Sequence, residues 1–90
     1  MSHTVQNKAP LLARVRRLRG QIEAIERALE AEAPCGEILN LAASVRGATN
    51  GLVLELIEDH LQSHLIGAGT DAERAAGGAE LIEIMHRHLK

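Results

Sequence analysis

The stretch CGEILNLAASVRGATNGLVLELIEDHLQSH, residues 35–64, decides the fold. Ile38, Leu41, Ala42, Val45, Ala48, Leu52 and Leu56 recur at helical spacing, and no proline follows Pro34. The pattern predicts one long amphipathic helix, with Cys35 near its start and His60 and His64 near its far end. At about 100° per residue these three side chains fall within roughly 40° of one another, along one edge of the apolar stripe. One chain cannot use that alignment. Cys35 and His60 are 25 positions apart, a rise of roughly 37 Å.

Two copies packed antiparallel would bring them together. The dyad would then lie near residues 47–50, where the chain reads Gly47-Ala48-Thr49-Asn50-Gly51. These residues are small, and each mid-helix glycine costs roughly 1 kcal/mol relative to alanine. Close backbone approach across a dyad at Gly47 and Gly51 gives that cost a reason. The alternative is that the glycines only weaken or kink the helix. The expectation is a symmetric dimer with two equivalent sites, each joining Cys35 of one chain to His60 and His64 of the other.

Upstream, residues 1–7 are polar and without period, and are expected to form a flexible arm carrying His3. Asn7 can cap a helix, and Pro10 falls in its first turn, where a missing N–H is tolerated. That helix is predicted over about 8–31. Leu11, Val15, Leu18, Ile22, Ile25 and Leu29 alternate in steps of four and three, a heptad-like seam. Ala33-Pro34 ends it, because the residue before proline avoids the α region. Pro34 suits the first position of the next helix, predicted over about 34–66, with Cys35 in its first turn.

Downstream, Gly67-Ala68-Gly69 breaks the long helix, and Thr70-Asp71-Ala72-Glu73 fits a capping box that starts a third helix over about 71–89. Gly77-Gly78 is expected to weaken this helix, a split there being the alternative to one continuous helix. His86 and His88 are two apart, so they face different ways and read as surface residues.

Net charge is −2, but it is unevenly spread. Residues 1–27 hold Lys8, Arg14, Arg16, Arg17, Arg19 and Arg27 against Glu23 and Glu26, a balance of +4. Residues 28–90 hold four basic against ten acidic residues, a balance of −6. Cations at Lys8, Arg14, Arg16, Arg17 and Arg19 within a few turns can follow a phosphate backbone. A solvated face with pairs such as Arg19–Glu23 is the alternative. With no Phe, Trp or Tyr, stacking on single-stranded bases is not expected.

Ninety residues make one domain, residues 1–90, with a core limited to Leu, Ile, Val and Ala. So small a chain buries little surface alone, which again points to oligomerisation. The apolar runs are too short for a membrane span, Met1 to Pro10 does not read as a signal peptide, and the single cysteine suits a reducing cytoplasm. Neither paired carboxylates nor a nucleophile elbow is present, and Cys35 has no neighbouring base in its own chain, so the reading is of a non-enzyme.

His60 and His64, at i and i+4, have the spacing that lets two imidazoles reach one ion, although ordinary surface histidines share it. One cysteine with several imidazoles is a borderline-soft donor set. It suits Ni(II), Co(II) or Zn(II) better than Ca(II) or Mg(II), and has too little sulfur for Cu(I). His3 on the arm, and the amine at the chain start, could raise the ligand number toward six. Four ligands satisfy Zn(II); a fifth or sixth favours Ni(II) or Co(II).

Arg14-Val15-Arg16-Arg17-Leu18-Arg19-Gly20-Gln21, Cys35, the run Val45-Arg46-Gly47-Ala48-Thr49-Asn50-Gly51-Leu52, His60 and the terminal Leu89-Lys90 together carry a resemblance. The chain resembles, over essentially its whole length, the CsoR/RcnR family of bacterial metal- and aldehyde-responsive transcriptional repressors. The resemblance implies an all-α chain of three helices without a helix-turn-helix. It implies antiparallel four-helix-bundle dimers that pair into tetramers, and double-stranded operator DNA held by basic residues chiefly of the first helix. Nickel- and cobalt-responsive members carry His, Cys, His and His where this chain has His3, Cys35, His60 and His64. Copper-sensing members have a second cysteine where His64 stands. Formaldehyde-sensing members carry proline where this chain has Ser2, and an acidic residue in place of His64, yet Arg14 to Glu30 is similar to their first helix.

The reading is therefore a cytoplasmic repressor that binds operator DNA without metal. Ni(II) or Co(II) at His3, Cys35, His60 and His64, with the Ser2 amine as a further ligand and Zn(II) as a competing ion, would release the DNA and permit expression of a metal exporter. Lys8, Arg14, Arg16 and Arg17 are the candidate phosphate contacts, with Arg19 and Arg46 secondary. A formaldehyde sensor with Cys35 as nucleophile and the Ser2 amine as crosslinking partner is the alternative. A helical assembly module without DNA binding is the third reading.

Overall fold

The computed structural model describes residues 7–89, which form three α-helices and, among the described residues, no strand. Helix α1 is Lys8–Glu30, α2 is Cys35–His60 and α3 is Asp71–His88. A π-helical segment, Leu61–Ile66, continues directly from α2. The fold is all-α, as the apolar spacing predicts. His3 and the Ser2 amine, like the rest of the expected arm before Asn7, lie outside the described residues, as does Lys90. The chain divides into two units, one of residues 7–53 and one whose described part is residues 54–89.

In the first unit, Asn7 stands at the N-cap of α1. Its carbonyl accepts from the Leu11 N–H at 3.2 Å, while its side chain makes no capping bond. Pro10 sits in the first turn, as expected. The far end of α1 closes with two paired backbone bonds: Ala33 N–H to the Ala28 carbonyl at 2.9 Å and Glu32 N–H to the Leu29 carbonyl at 3.1 Å. This is a Schellman motif, and it places Glu32 at a φ of 55°, where glycine is the usual occupant. Pro34 lies just outside α2, one position earlier than the sequence suggests, and its carbonyl accepts from the Glu37 and Ile38 N–H groups.

The heptad seam of α1 separates into two lines. Leu11 is buried, and Leu18 and Ile25 are half-buried; Val15, Ile22 and Leu29 are exposed. Leu11 is the one buried hydrophobic side chain among the described residues. Arg14 Nη1 lies 3.1 Å from the point where a Cβ on Gly51 would stand. Residues 14 and 51 are equally far from the middle of the 31–34 turn, so α1 and the first part of α2 run as an antiparallel hairpin.

In the second unit, the long helix departs from expectation. It is α-helical to His60 and then π-helical through Ile66, rather than α-helical throughout. π-turns are rare and concentrate at functional sites. The capping box holds: Thr70 Oγ1 accepts from the Glu73 N–H at 3.1 Å. Glu73 Oε2 reaches back one residue further than the motif requires, accepting from the Gly69 N–H at 3.0 Å. Arg74 braces the turn by donating to the carbonyls of Leu65 at 3.1 Å and Ala68 at 3.3 Å and to Asp71 Oδ1 at 2.6 Å. Helix α3 is not split at Gly77-Gly78. It runs unbroken, because Gly77 packs against the π-helical segment, and a side chain there would collide with it.

The strain at Glu32 yields a stability test. Glu32→Gly removes a left-handed conformation that costs a non-glycine residue roughly 1–2 kcal/mol. Part of that gain is offset by the entropy of glycine in the unfolded chain. The net expectation is stabilisation by up to about 1 kcal/mol, read as a higher midpoint in thermal unfolding followed by circular dichroism. A lower midpoint would contradict the motif.

Candidate metal centre and basic helix face

His60 ends α2 and is buried, 9% exposed, although it is a polar side chain. Its Nε2 lies 2.9 Å from the Gly77 carbonyl oxygen of α3. A carbonyl can only accept, so His60 must donate through Nε2–H, and in the neutral ring the lone pair is left on Nδ1. His64 follows one turn later within the π-helical segment, with its ring centroid 4.7 Å from that of His60 and the planes at 39°. With metal–nitrogen bonds of about 2.1 Å, two imidazoles at right angles on one ion have centroids about 4.6 Å apart. The pair therefore fits a shared ion in spacing, and its donor type suits Ni(II), Co(II) or Zn(II).

Gly77 is what permits this arrangement. A Cβ on it would stand 2.5 Å from the His64 carbonyl oxygen and 2.9 Å from the His64 Cβ. Its neighbour Gly78 is different: a Cβ there would meet only Leu65 Cδ2, at an ordinary 3.7 Å. The sequence alone marks both glycines as helix weakeners and does not distinguish the first. The available signal was symmetry, since residues 60 and 77 are equidistant from the 67–70 turn.

Cys35 is the first residue of α2, with an exposed, free thiol. It opens the 26-residue helix that His60 closes, so the two cannot share an ion within one chain. In accord with this, the described residues contain no cluster of three or more His, Cys, Asp or Glu side chains able to hold a metal. His86 and His88 are exposed in the last turn of α3.

The basic residues stand on exposed positions. Lys8, Arg14, Arg16, Arg17 and Arg19 are exposed along α1, and Arg46 is exposed on α2. Arg14 reaches across to Gly51, whereas a Cβ on Gly47 would meet nothing within 4 Å. Exposed cations of this kind can neutralise phosphates. No helix among the described residues is long and apolar enough to cross a membrane.

Among the described residues the chain is all-helical, with a histidine pair where α2 ends, an exposed cysteine where it begins, and exposed cations along α1. Comparisons with known proteins identify its family. Residues 7–87 match the family model described as metal-sensitive transcriptional repressor. The transcriptional repressor RcnR of Salmonella arizonae is 33% identical over 90 residues, covering all of both chains. An uncharacterised protein from the bioA 5′ region of Serratia marcescens is 43% identical over 91 residues, again covering all of both chains. Among solved structures, the formaldehyde-responsive regulator FrmR of Salmonella enterica serovar Typhimurium, in a variant with histidine replacing a glutamate, superposes with a TM-score of 0.85. It is 48% identical, and the match covers 92% of this chain and 94% of that one. The chain belongs to the CsoR/RcnR family of metal-sensitive transcriptional repressors.

The contact between Arg14 and Gly51 gives a local test. Gly51→Ala must push the Arg14 guanidinium aside, because 3.1 Å is too short for a relaxed Cβ contact. Arg14 is the far end of a flexible side chain, so helicity should hold while the Arg14 Nη and Nε proton shifts move in NMR spectra. Unchanged Arg14 resonances would contradict the hairpin register.

Proposed function

We propose that this repressor senses Ni(II) or Co(II). Two copies pack antiparallel about Gly47 and Gly51. Each site takes Cys35 from one copy and His60 and His64 from the other, with His3 and the Ser2 amine completing a five- or six-ligand set. Without metal, the dimers pair into a tetramer that holds operator DNA through Lys8, Arg14, Arg16 and Arg17, assisted by Arg19 and Arg46. Metal binding favours the state with lower DNA affinity, a coupling of about 1–3 kcal/mol in typical allosteric proteins, and releases expression of a metal exporter.

The observation that carries this reading is the His60–His64 pair, set at a spacing that fits one ion, with no third donor clustered beside it among the described residues. A second copy supplies the missing sulfur. Two further features support association. Val15, Ile22 and Leu29 present an exposed apolar line of heptad period, and Gly47 has open space beside it. Similarity to RcnR over the whole chain points the same way. If Gly47 faces a dyad, Gly47→Ala should weaken the dimer in sedimentation equilibrium; in an isolated helix it would instead add up to about 1 kcal/mol of helix stability.

Anaerobic Co(II) titration of the reduced protein tests the site. The expected result is a sulfur-to-cobalt charge-transfer band saturating at one ion per chain, with weak visible bands, in a near-ultraviolet window free of Trp and Tyr. Intense visible bands would mean a tetrahedral site and favour Zn(II). Loss of the thiolate band altogether would remove Cys35 from the metal site. For the DNA face, Arg14→Ala with Arg17→Ala should weaken operator binding and flatten its salt dependence by about 0.9 in slope for each phosphate no longer neutralised. Unchanged affinity and slope would refute the assignment.

A formaldehyde response is the second reading, favoured by the 48% identity to FrmR against 33% to RcnR. In that reading the Cys35 sulfur and the Ser2 amine add to the aldehyde carbon with loss of water. Formaldehyde, and not metal, would then release DNA and leave a one-carbon bridge visible by mass spectrometry. The resemblance sets His64 against the acidic residue of the formaldehyde sensors, which favours the metal.

A further inference from the structure

We propose that Gly77 is a positioning residue for the effector site, acting through both its carbonyl and its missing side chain. For its metal-binding consequence this rests on the proposed role of His60 and His64 as ligands. The carbonyl of Gly77 accepts from His60 Nε2–H at 2.9 Å. A helix carbonyl has two lone pairs, so it takes this bond without giving up its place in α3. The bond fixes the ring rotation and tautomer of His60, and leaves Nδ1 as the atom that presents a lone pair. The absent side chain acts on the next histidine. The backbone and Cβ of His64 occupy the space where a residue-77 Cβ would stand, at 2.5 and 2.9 Å.

These two contacts locate the His60 ring and the His64 backbone and Cβ against one point on α3. Gly77 is accordingly the one buried residue of that helix. Gly77 stands in a helix interior, where glycine is tolerated poorly relative to alanine. Gly78, next in the chain, bears the same cost, and the space beside it would accept a Cβ. The pair therefore separates positioning from helix propensity: the same substitution, at adjacent residues, should have different effects.

The test compares wild type, Gly77→Ala and Gly78→Ala. Long-range proton–nitrogen correlation spectra of the metal-free proteins, in mildly alkaline buffer and with His60 assigned through His60→Gln, report which ring nitrogen carries the proton. The wild type and Gly78→Ala should show His60 as the Nε2–H form; Gly77→Ala should lose it. Loss of a partner that orients a metal ligand typically lowers metal affinity 10–100-fold, so Co(II) affinity should fall by that factor in Gly77→Ala and stay unchanged in Gly78→Ala. Circular dichroism of the three proteins separates a loss of helix, which would mark a general loss of structure, from a change confined to the His60 tautomer. An Nδ1–H form in the wild type would overturn the proposal, and that spectrum decides even where Gly77→Ala fails to fold. A Gly77→Ala protein with wild-type tautomer and wild-type cobalt affinity would overturn it equally. Failure of the wild type to bind cobalt would instead defeat the proposed function, with the metal-free spectra still deciding the role of Gly77.

Discussion

A helix separates its residues by about 1.5 Å each, and Cys35 and His60 are the first and last residues of the same helix. Much of the account follows from that constraint. A sulfur and an imidazole placed so far apart cannot cooperate on a small ligand within one chain, yet they share an edge of the helix. The second histidine is different. His64 is held beside His60 by a π-helical turn and by a glycine of α3, so two members of the proposed ligand set lie together within one chain. The proposed second copy supplies the sulfur, and sensing then becomes inseparable from association.

The two glycines at the centre of α2 are not equivalent. The open face of Gly51 is used within the chain, because Arg14 lies across it. Gly47 has no such neighbour among the described residues, so no contact with them explains its cost to helix stability. Of the proposed dyad residues, Gly47 therefore argues more strongly for a partner. Gly51 instead connects the proposed dyad to a proposed phosphate contact through a single side chain.

Where the sequence was informative, the determining physics was local. Helical periodicity, the proline after α1 and the Thr70 cap each act within a few residues, and α1, the start of α2 and α3 are found where that pattern puts them, to within one position. Glu32 was not legible as a left-handed residue, since the usual signal there is glycine. The change to π-helix at Leu61 and the role of Gly77 were not legible either. Both depend on how closely α3 approaches the preceding segment, and no propensity or period encodes that distance. The histidine pair could be read from its spacing. The atom that each ring presents could not, because the Gly77 carbonyl decides it for His60 from 17 positions away.

The most direct test of a site shared between two copies is complementation. Cys35→Ser retains the histidines, and a His60→Ala, His64→Ala double variant retains the cysteine. Neither alone should show the sulfur-to-cobalt band. After the two are mixed in equal amounts and allowed to exchange subunits, half of the dimers are mixed and each has one intact site of two. The band should then return to about a quarter of its wild-type intensity, following the statistics of a two-fold dimer. A mixture that stays without the band, in a preparation shown to have exchanged subunits, would contradict the shared site. So would a band from the double variant alone, because Cys35 would then be binding cobalt without the histidines.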